Sequence, residues 1–296
     1  MSYFIQAHRR WWHPLVEILL VLVLWPIFLM LSFGVIELVA WQFGAEGFVD
    51  RGFAEPMDMY QVEVCTAMLV MLAAGLPASM LAARIVRRRR WKSIFGVTGS
   101  FDWKLFLTGV CVVLPLALLS VSAMYLAGPS RSVSVNVPLL LACMALVPAQ
   151  SMAEEIVFRG VLGQACGKWT RSWIAAVVIP LPLFVVGHEY SWMGLLAIAW
   201  FALCTGYLAH RTGGLAAPMA LHVGNNLGFF MFGAIGLADL NQSQISAATA
   251  VIDFVFCAVV TVALLSLSGS KVIPSKRAES KIADSVEHTM RAELKA

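Results

Sequence analysis

Charge is what this chain has least of: Asp, Glu, Lys and Arg make up 13% of its 296 residues, about half the share usual for a soluble globular domain. With 60% hydrophobic residues and a mean hydropathy of +0.80, the composition excludes an ordinary soluble enzyme and implies an integral membrane protein. Paired cysteines are also lacking. Cys65, Cys111, Cys143, Cys166, Cys204 and Cys257 stand singly, mostly inside apolar runs, with no C-x-x-C and no metal-ligand spacing, so they read as small core residues and not as a disulfide framework. A secretory cleavage site is missing after the first apolar run, which is too long for a signal-peptide core and reads as a retained helix. No internal repeat of the kind that marks many transporters is visible.

What the chain does have is apolar runs of membrane length. They fall at about 15–41, 62–86, 105–127, 137–164, 172–188, 191–209, 215–236 and 247–269, each near the roughly 20 residues that a bilayer core requires. The expected architecture is therefore all-α: a polytopic bundle of about eight transmembrane helices. It forms a single transmembrane domain over residues 1–270, followed by a charged cytoplasmic tail at 271–296.

The net charge of +4 is explained by where the basic residues fall. Arg9, Arg10, the run from Arg84 to Lys92, Lys104, Lys168, Arg171, Arg211 and the basic residues of the tail lie on one side of the eight-span scheme, with Arg51 and Arg131 on the other. Basic residues are retained on the cytoplasmic side, which puts both termini inside and a loop carrying Glu46, Asp50, Glu55 and Asp58 outside. The expected location is an integral membrane protein of a bacterial inner membrane. The expected surroundings are the lipid bilayer, with no nucleic-acid partner. Trp11, Trp12, Trp91 and Trp103 flank spans as interfacial anchors. Glu17, Glu37 and Asp253 are ionisable groups near or within spans for which edge placement or pairing is expected, and Glu37 has no visible partner.

Charges inside a span cost at least about 2.5 to 3.5 kcal/mol each and usually mark function. The fourth span carries three in the stretch "MAEEIVFRG": Glu154, Glu155 and Arg159. Residues four apart share a helix face, whereas adjacent residues diverge by roughly 100°. Glu155 and Arg159 thus form an i, i+4 pair that braces the helix, and Glu154 is left to direct its carboxylate into the bundle. An ion cluster that merely ties helices together is the other reading of these three residues alone. Further polar groups weigh against it. "FVVGH" places Phe184 and His188 four apart at the end of the fifth span, and "HVGNN" places His222 and Asn226 four apart in the seventh. A buried carboxylate beside imidazole can activate water. Amide and imidazole N–H groups can donate to a developing oxyanion. The combination suits hydrolysis of a peptide bond.

The ordered set E-E-x-x-x-R (Glu154 to Arg159), F-x-x-x-H (Phe184 to His188) and H-x-x-x-N (His222 to Asn226) resembles the CPBP family of intramembrane proteases, which includes CAAX prenyl endopeptidases and bacteriocin-processing enzymes. The resemblance covers residues 137–235. It implies that Glu154 activates the hydrolytic water, that His188 holds or orients it, that His222 and Asn226 stabilise the oxyanion, and that Glu155 and Arg159 support them. It also implies a membrane-embedded or membrane-anchored peptide or protein as substrate.

No cofactor is expected. If a divalent metal such as zinc were bound, Glu154, His188 and His222 would be its ligands, but H-E-x-x-H is absent: "HEYSW" has Trp192 where the second histidine would stand. Counting 1.5 Å per residue from the cytoplasmic ends puts His188 deeper than Glu154 and His222. Convergence therefore requires the fifth span, which contains Pro180 and Pro182, to be broken or tilted. Two other function classes remain open on sequence: a proton- or ion-coupled transporter that uses these residues as a relay, and a catalytically silent scaffold.

Overall fold

In the computed structural model of the chain the described residues are 3–5, 10–86, 91–127 and 133–269. The C-terminal tail and the arginine run at 87–90 lie outside them. The architecture is all-helical, as expected, with no strand among the described residues and a single isolated bridge between Gly96 and Gly214.

The helices are α1 (His13–Gln42), α2 (Phe48–Arg51), α3 (Val62–Ala73), α4 (Gly75–Ile85), α5 (Trp103–Ala127), α6 (Val137–Glu155), α7 (Gln164–Thr170), α8 (Trp173–Val178), α9 (Leu181–Val186), α10 (Trp192–Thr212), α11 (Ala216–Ala234) and α12 (Ala247–Leu267). A short 3-10 turn covers Trp91–Ile94, and a π-helical stretch, Ile156–Gly163, joins α6 to α7. Every expected span coincides with helix, but six helical segments are long and apolar enough to cross a membrane: α1, α3–α4, α5, α6–α7, α10 and α12. The fifth expected span falls short because its helical stretch, Trp173–Val186, is below membrane length, and within it Ile179 and Pro180 separate α8 from α9. The seventh, α11, is long enough but too rich in polar and small residues.

α11 is the centre of the bundle, packed on α5, α6, α10 and α12. Small residues make its approach to α5 possible. A Cβ on Gly109 would lie 2.7 Å from Ala220, one on Gly224 would lie 2.6 Å from Val113, and one on Gly228 would lie 2.9 Å from Ala117. These pairs advance by four residues along both helices, so α5 and α11 run parallel along a seam of small residues, the usual way for helix backbones to approach within a membrane. α6 is pinned to the far end of α11 by backbone bonds from Asn136 N to Ala234 O (2.8 Å) and from Ser134 N to Ile235 O (3.1 Å). The Asn136 side chain caps α6 by accepting from Leu139 N at 3.1 Å.

At that same end two loops lock together. Met59 N donates to Asn241 Oδ1, Asn241 Nδ2 to Asp58 Oδ1, and Tyr60 OH to Ala238 O, each at 2.8 Å. Glu37, which had no partner in sequence, accepts from Gly47 N and, at 3.0 Å, from Val49 N. It thereby satisfies the open N–H groups at the start of α2. Trp11, Trp12 and Trp103 are exposed, as interfacial anchors would be, whereas the Trp91 side chain lies outside the described residues. Cys65 and Cys143 meet in the α3–α6 contact as free thiols, their sulfurs 3.8 Å apart in a hydrogen bond.

Candidate active site

Glu154 and Glu155 occupy the last turn of α6, where the helix passes into the π-helical stretch that carries Arg159. Such wide turns are frequent at functional sites. Glu155 is fully buried, and its Oε1 receives two cations or donors: Arg159 Nη1 at 3.2 Å and His222 Nδ1 at 2.8 Å. Arg159 also donates through Nη2 to Ala202 O at 3.1 Å and to Thr205 Oγ1, and its guanidinium lies 4.9 Å from the centre of the Phe184 ring. The i, i+4 brace anticipated from sequence is present, and it extends across the bundle to α10 and α11.

Glu154 points elsewhere, as the helix geometry requires. Its Oε1 accepts from Gln150 Nε2 at 2.6 Å. Its Oε2 is 3.5 Å from His222 Nε2 and accepts no hydrogen bond from the described residues. His222 is therefore held between the two carboxylates, with Nδ1 on Glu155 and Nε2 facing Glu154. Edge contacts with Phe201 (4.9 Å between ring centres) and Phe184 (6.5 Å) complete the clamp.

Gln150 lies one turn before Glu154 and was not picked out from the sequence. It links the acid to the amide: Asn226 Nδ2 donates to Gln150 Oε1 at 3.3 Å, and Ser151 Oγ donates to the same oxygen at 3.2 Å. Its position four residues before an intramembrane glutamate was the available signal.

His188 reaches this region because α8 and α9 form a short, broken helix and not a full span. Its Nδ1 is 2.8 Å from Phe184 O. Since a carbonyl only accepts, Nδ1 carries a proton, and in the neutral ring Nε2 then presents a lone pair. Phe184, four residues earlier, touches the His188, His222 and Phe158 rings.

These groups border one cavity of about 600 Å³, lined by Gln150, Glu154, His188, His222 and Asn226, among others. Its size is that of a ligand site. Glu155 and Arg159 stand behind the wall and do not line it. Among the described residues no three His, Cys, Asp or Glu side chains are gathered as a metal-binding set. Of the zinc ligands considered from sequence, His222 has Nδ1 engaged by Glu155, and His188 has Nδ1 engaged by a carbonyl. Glu189, next to His188, is exposed.

Residues 136–228 match the family model described as Rce1-like, type II CAAX prenyl endopeptidase Rce1-like, a window that holds all six candidate residues. The match supports the resemblance to CPBP proteases drawn from the three motifs. The chain is also similar to a Bacillus subtilis (strain 168) protein described as "Uncharacterized protein YyaK", with 26% identity over 172 residues. That alignment covers 53% of this chain and 57% of the relative, little more than half of either. No solved structure matches the chain.

Proposed function

We propose that this chain is an intramembrane endopeptidase that hydrolyses a peptide bond of a membrane-embedded or membrane-anchored substrate with water activated by Glu154. One observation carries the reading: Glu154 is held at Oε1 by Gln150 while Oε2 is left without a donor, at the wall of a cavity that His188, His222 and Asn226 also line.

In this mechanism water sits between Glu154 and the substrate carbonyl. Glu154 takes one proton as the oxygen attacks the carbonyl carbon, and later delivers it to the departing amine nitrogen. The lone pair on His188 Nε2 accepts the second water hydrogen and orients the nucleophile. The carbonyl oxygen gains negative charge, which the Asn226 amide and an N–H of the His222 ring meet as donors. Glu155 and Arg159 fix the orientation of His222 from behind and touch no reacting atom. No step requires a metal. Retained cleavage by purified enzyme after exhaustive chelation is the expected result, and activity restored only by added zinc would overturn that part.

The proposed setting is a bacterial inner membrane, with residues 1–270 as one transmembrane domain, residues 271–296 as a cytoplasmic tail and both termini cytoplasmic. Arg84, Lys104, Lys168, Arg171 and Arg211 lie at or beside helix ends that the alternating path of the chain puts on one side, which supports this orientation. The interlocked loops at residues 58–60 and 238–241 then face outward, so the cavity reaches toward the non-cytoplasmic side.

The deciding experiment compares peptide termini in membranes of cells carrying the wild-type chain with those carrying Glu154→Gln. A terminus that appears with wild type alone is expected. Identical sets of termini, with both chains correctly inserted, would refute the reading.

A further inference from the structure

The lining of the cavity is one-sided in charge. It includes the carboxylates of Glu154, Asp239 and Asp253, and no lysine or arginine is among the described residues that line it. Glu154 is used in the proposed chemistry, and Asp239 accepts from Asn241 N at 3.1 Å in the loop that roofs the cavity. Asp253 is different. It sits on α12, within a candidate span, and accepts no hydrogen bond from any described residue. Other acids of the chain are anchored: Glu37 by two backbone N–H groups, Glu63 by Arg51 at 3.2 Å, Asp58 by Asn241 and Asp102 by Leu105 N at 3.0 Å. A carboxylate left unpaired in a membrane span is costly unless something else meets it.

Asp253 is half-buried, and the cavity is the space it borders. Tyr190, from the turn that also carries His188, stands near it: burial first, and then the Asp253 carboxylate, push the Tyr190 phenol above its ordinary range. The Tyr190 ring also stacks toward His188, with centres 6.2 Å apart. The same wall thus offers an aromatic ring and an unpaired acid, both of which attract a cation.

We propose that the cavity selects a peptide segment bearing a positively charged amine, received by Asp253 beside the ring of Tyr190. The proposal rests on the endopeptidase reading and specifies its substrate. It also weighs against a C-a-a-X tail, whose free carboxylate would enter a cavity where Asp253 stands unpaired and the described lining residues include no lysine or arginine. An internal segment with a lysine, or a segment entering by its free amino terminus, meets the charge that the wall lacks.

The test is binding of labelled apolar peptides to the purified full chain carrying Glu154→Gln, so that nothing is consumed. One peptide has a blocked amino terminus and a single lysine, the second replaces that lysine with norleucine, and the third has norleucine with a free amino terminus. At least about tenfold tighter binding of one amine-bearing peptide over the blocked norleucine peptide is expected, as a charge-assisted contact would give. Which of the two binds identifies the source of the amine. Adding Asp253→Asn or Asp253→Ser should bring the difference to within about threefold without weakening the norleucine peptide, and Asp253→Glu should keep the preference. Equal binding of all three peptides, or a preference that survives the loss of Asp253 in whichever variant folds, overturns the proposal. Binding is read without catalysis, so failure of the wild-type chain to hydrolyse any peptide would strike the endopeptidase reading and leave this measurement standing.

Discussion

α1 and α11 are both membrane-length helices, yet they are built by opposite rules. α1 has thirty residues, of which five are buried, and its exposed face is a run of leucine, valine and isoleucine. α11 has nineteen residues, of which twelve are buried, and it carries His222, Asn225, Asn226 and three glycines. By length and composition α1 is a clear membrane span, whereas α11 is not among the six that qualify. Hydropathy measures what a helix shows to lipid. A helix enclosed by other helices is released from that demand and can carry the polar groups that lipid would penalise. The candidate chemistry accordingly sits where apolarity falls, on α11 and the end of α6.

That contrast breaks most sharply at Glu154. Exchange for glutamine keeps the size of the side chain and the hydrogen-bonding partner Gln150, but removes the base. Cleavage should fall by about a hundred- to ten-thousand-fold, the usual contribution of a positioned general base, with the folded chain recovered in normal yield. Turnover of a cleaved membrane peptide by purified enzyme measures it. A Glu154→Gln chain that still cleaves at more than a tenth of the wild-type rate would move the chemistry elsewhere.

Arg159 tests the support behind the wall. Arg159→Met removes the cation that balances Glu155 in a buried cluster with Glu154 and His222. Removing one partner of a buried pair costs about 3 to 5 kcal/mol, so thermal unfolding in detergent should shift far below wild type. An exchange that leaves the unfolding temperature unchanged would show that the cluster is not needed to hold α6 against α10 and α11.

Much of this arrangement was legible in sequence because it follows from helix periodicity. The i, i+4 spacing of Glu155 and Arg159 determined their pairing, and adjacency alone sent Glu154 to another face. The break in the fifth span was foreseeable from two prolines and a depth mismatch. Other features depend on tertiary contacts that periodicity does not encode. That His222 bridges both carboxylates requires the α6–α11 register, which the Asn136–Ala234 bond sets. Glu37 is explained by a loop that folds back onto α1, and Gln150 by a neighbour one turn away that only the bundle brings into use. α11, one of the eight expected spans, falls outside the six apolar enough to qualify because it is enclosed by protein and carries polar and small residues.

The remaining contrast is between two glycines. Gly224 on α11 faces Val113, and a Cβ there would lie 2.6 Å from Val113 Cγ1. Gly224→Ala should therefore force α5 and α11 apart and destabilise the chain by about 1 to 3 kcal/mol, the cost of overpacking. Because α11 carries His222 and Asn226, cleavage should weaken along with stability.

Gly34 sits inside α1, where an added Cβ meets nothing within 4 Å. The same substitution there replaces a flexible residue in a helix interior by the best helix former and crowds no neighbour. Gly34→Ala should stabilise the chain by about 0.5 to 1 kcal/mol and leave cleavage unchanged. One exchange, made at two helical glycines, should thus have opposite signs, because one helix is packed on protein and the other faces lipid. Unfolding curves of the two variants, recorded side by side, decide it. If both variants lose stability, α1 has a packing partner on the Gly34 face, and the division between a lipid-facing helix and an enclosed one fails at that point.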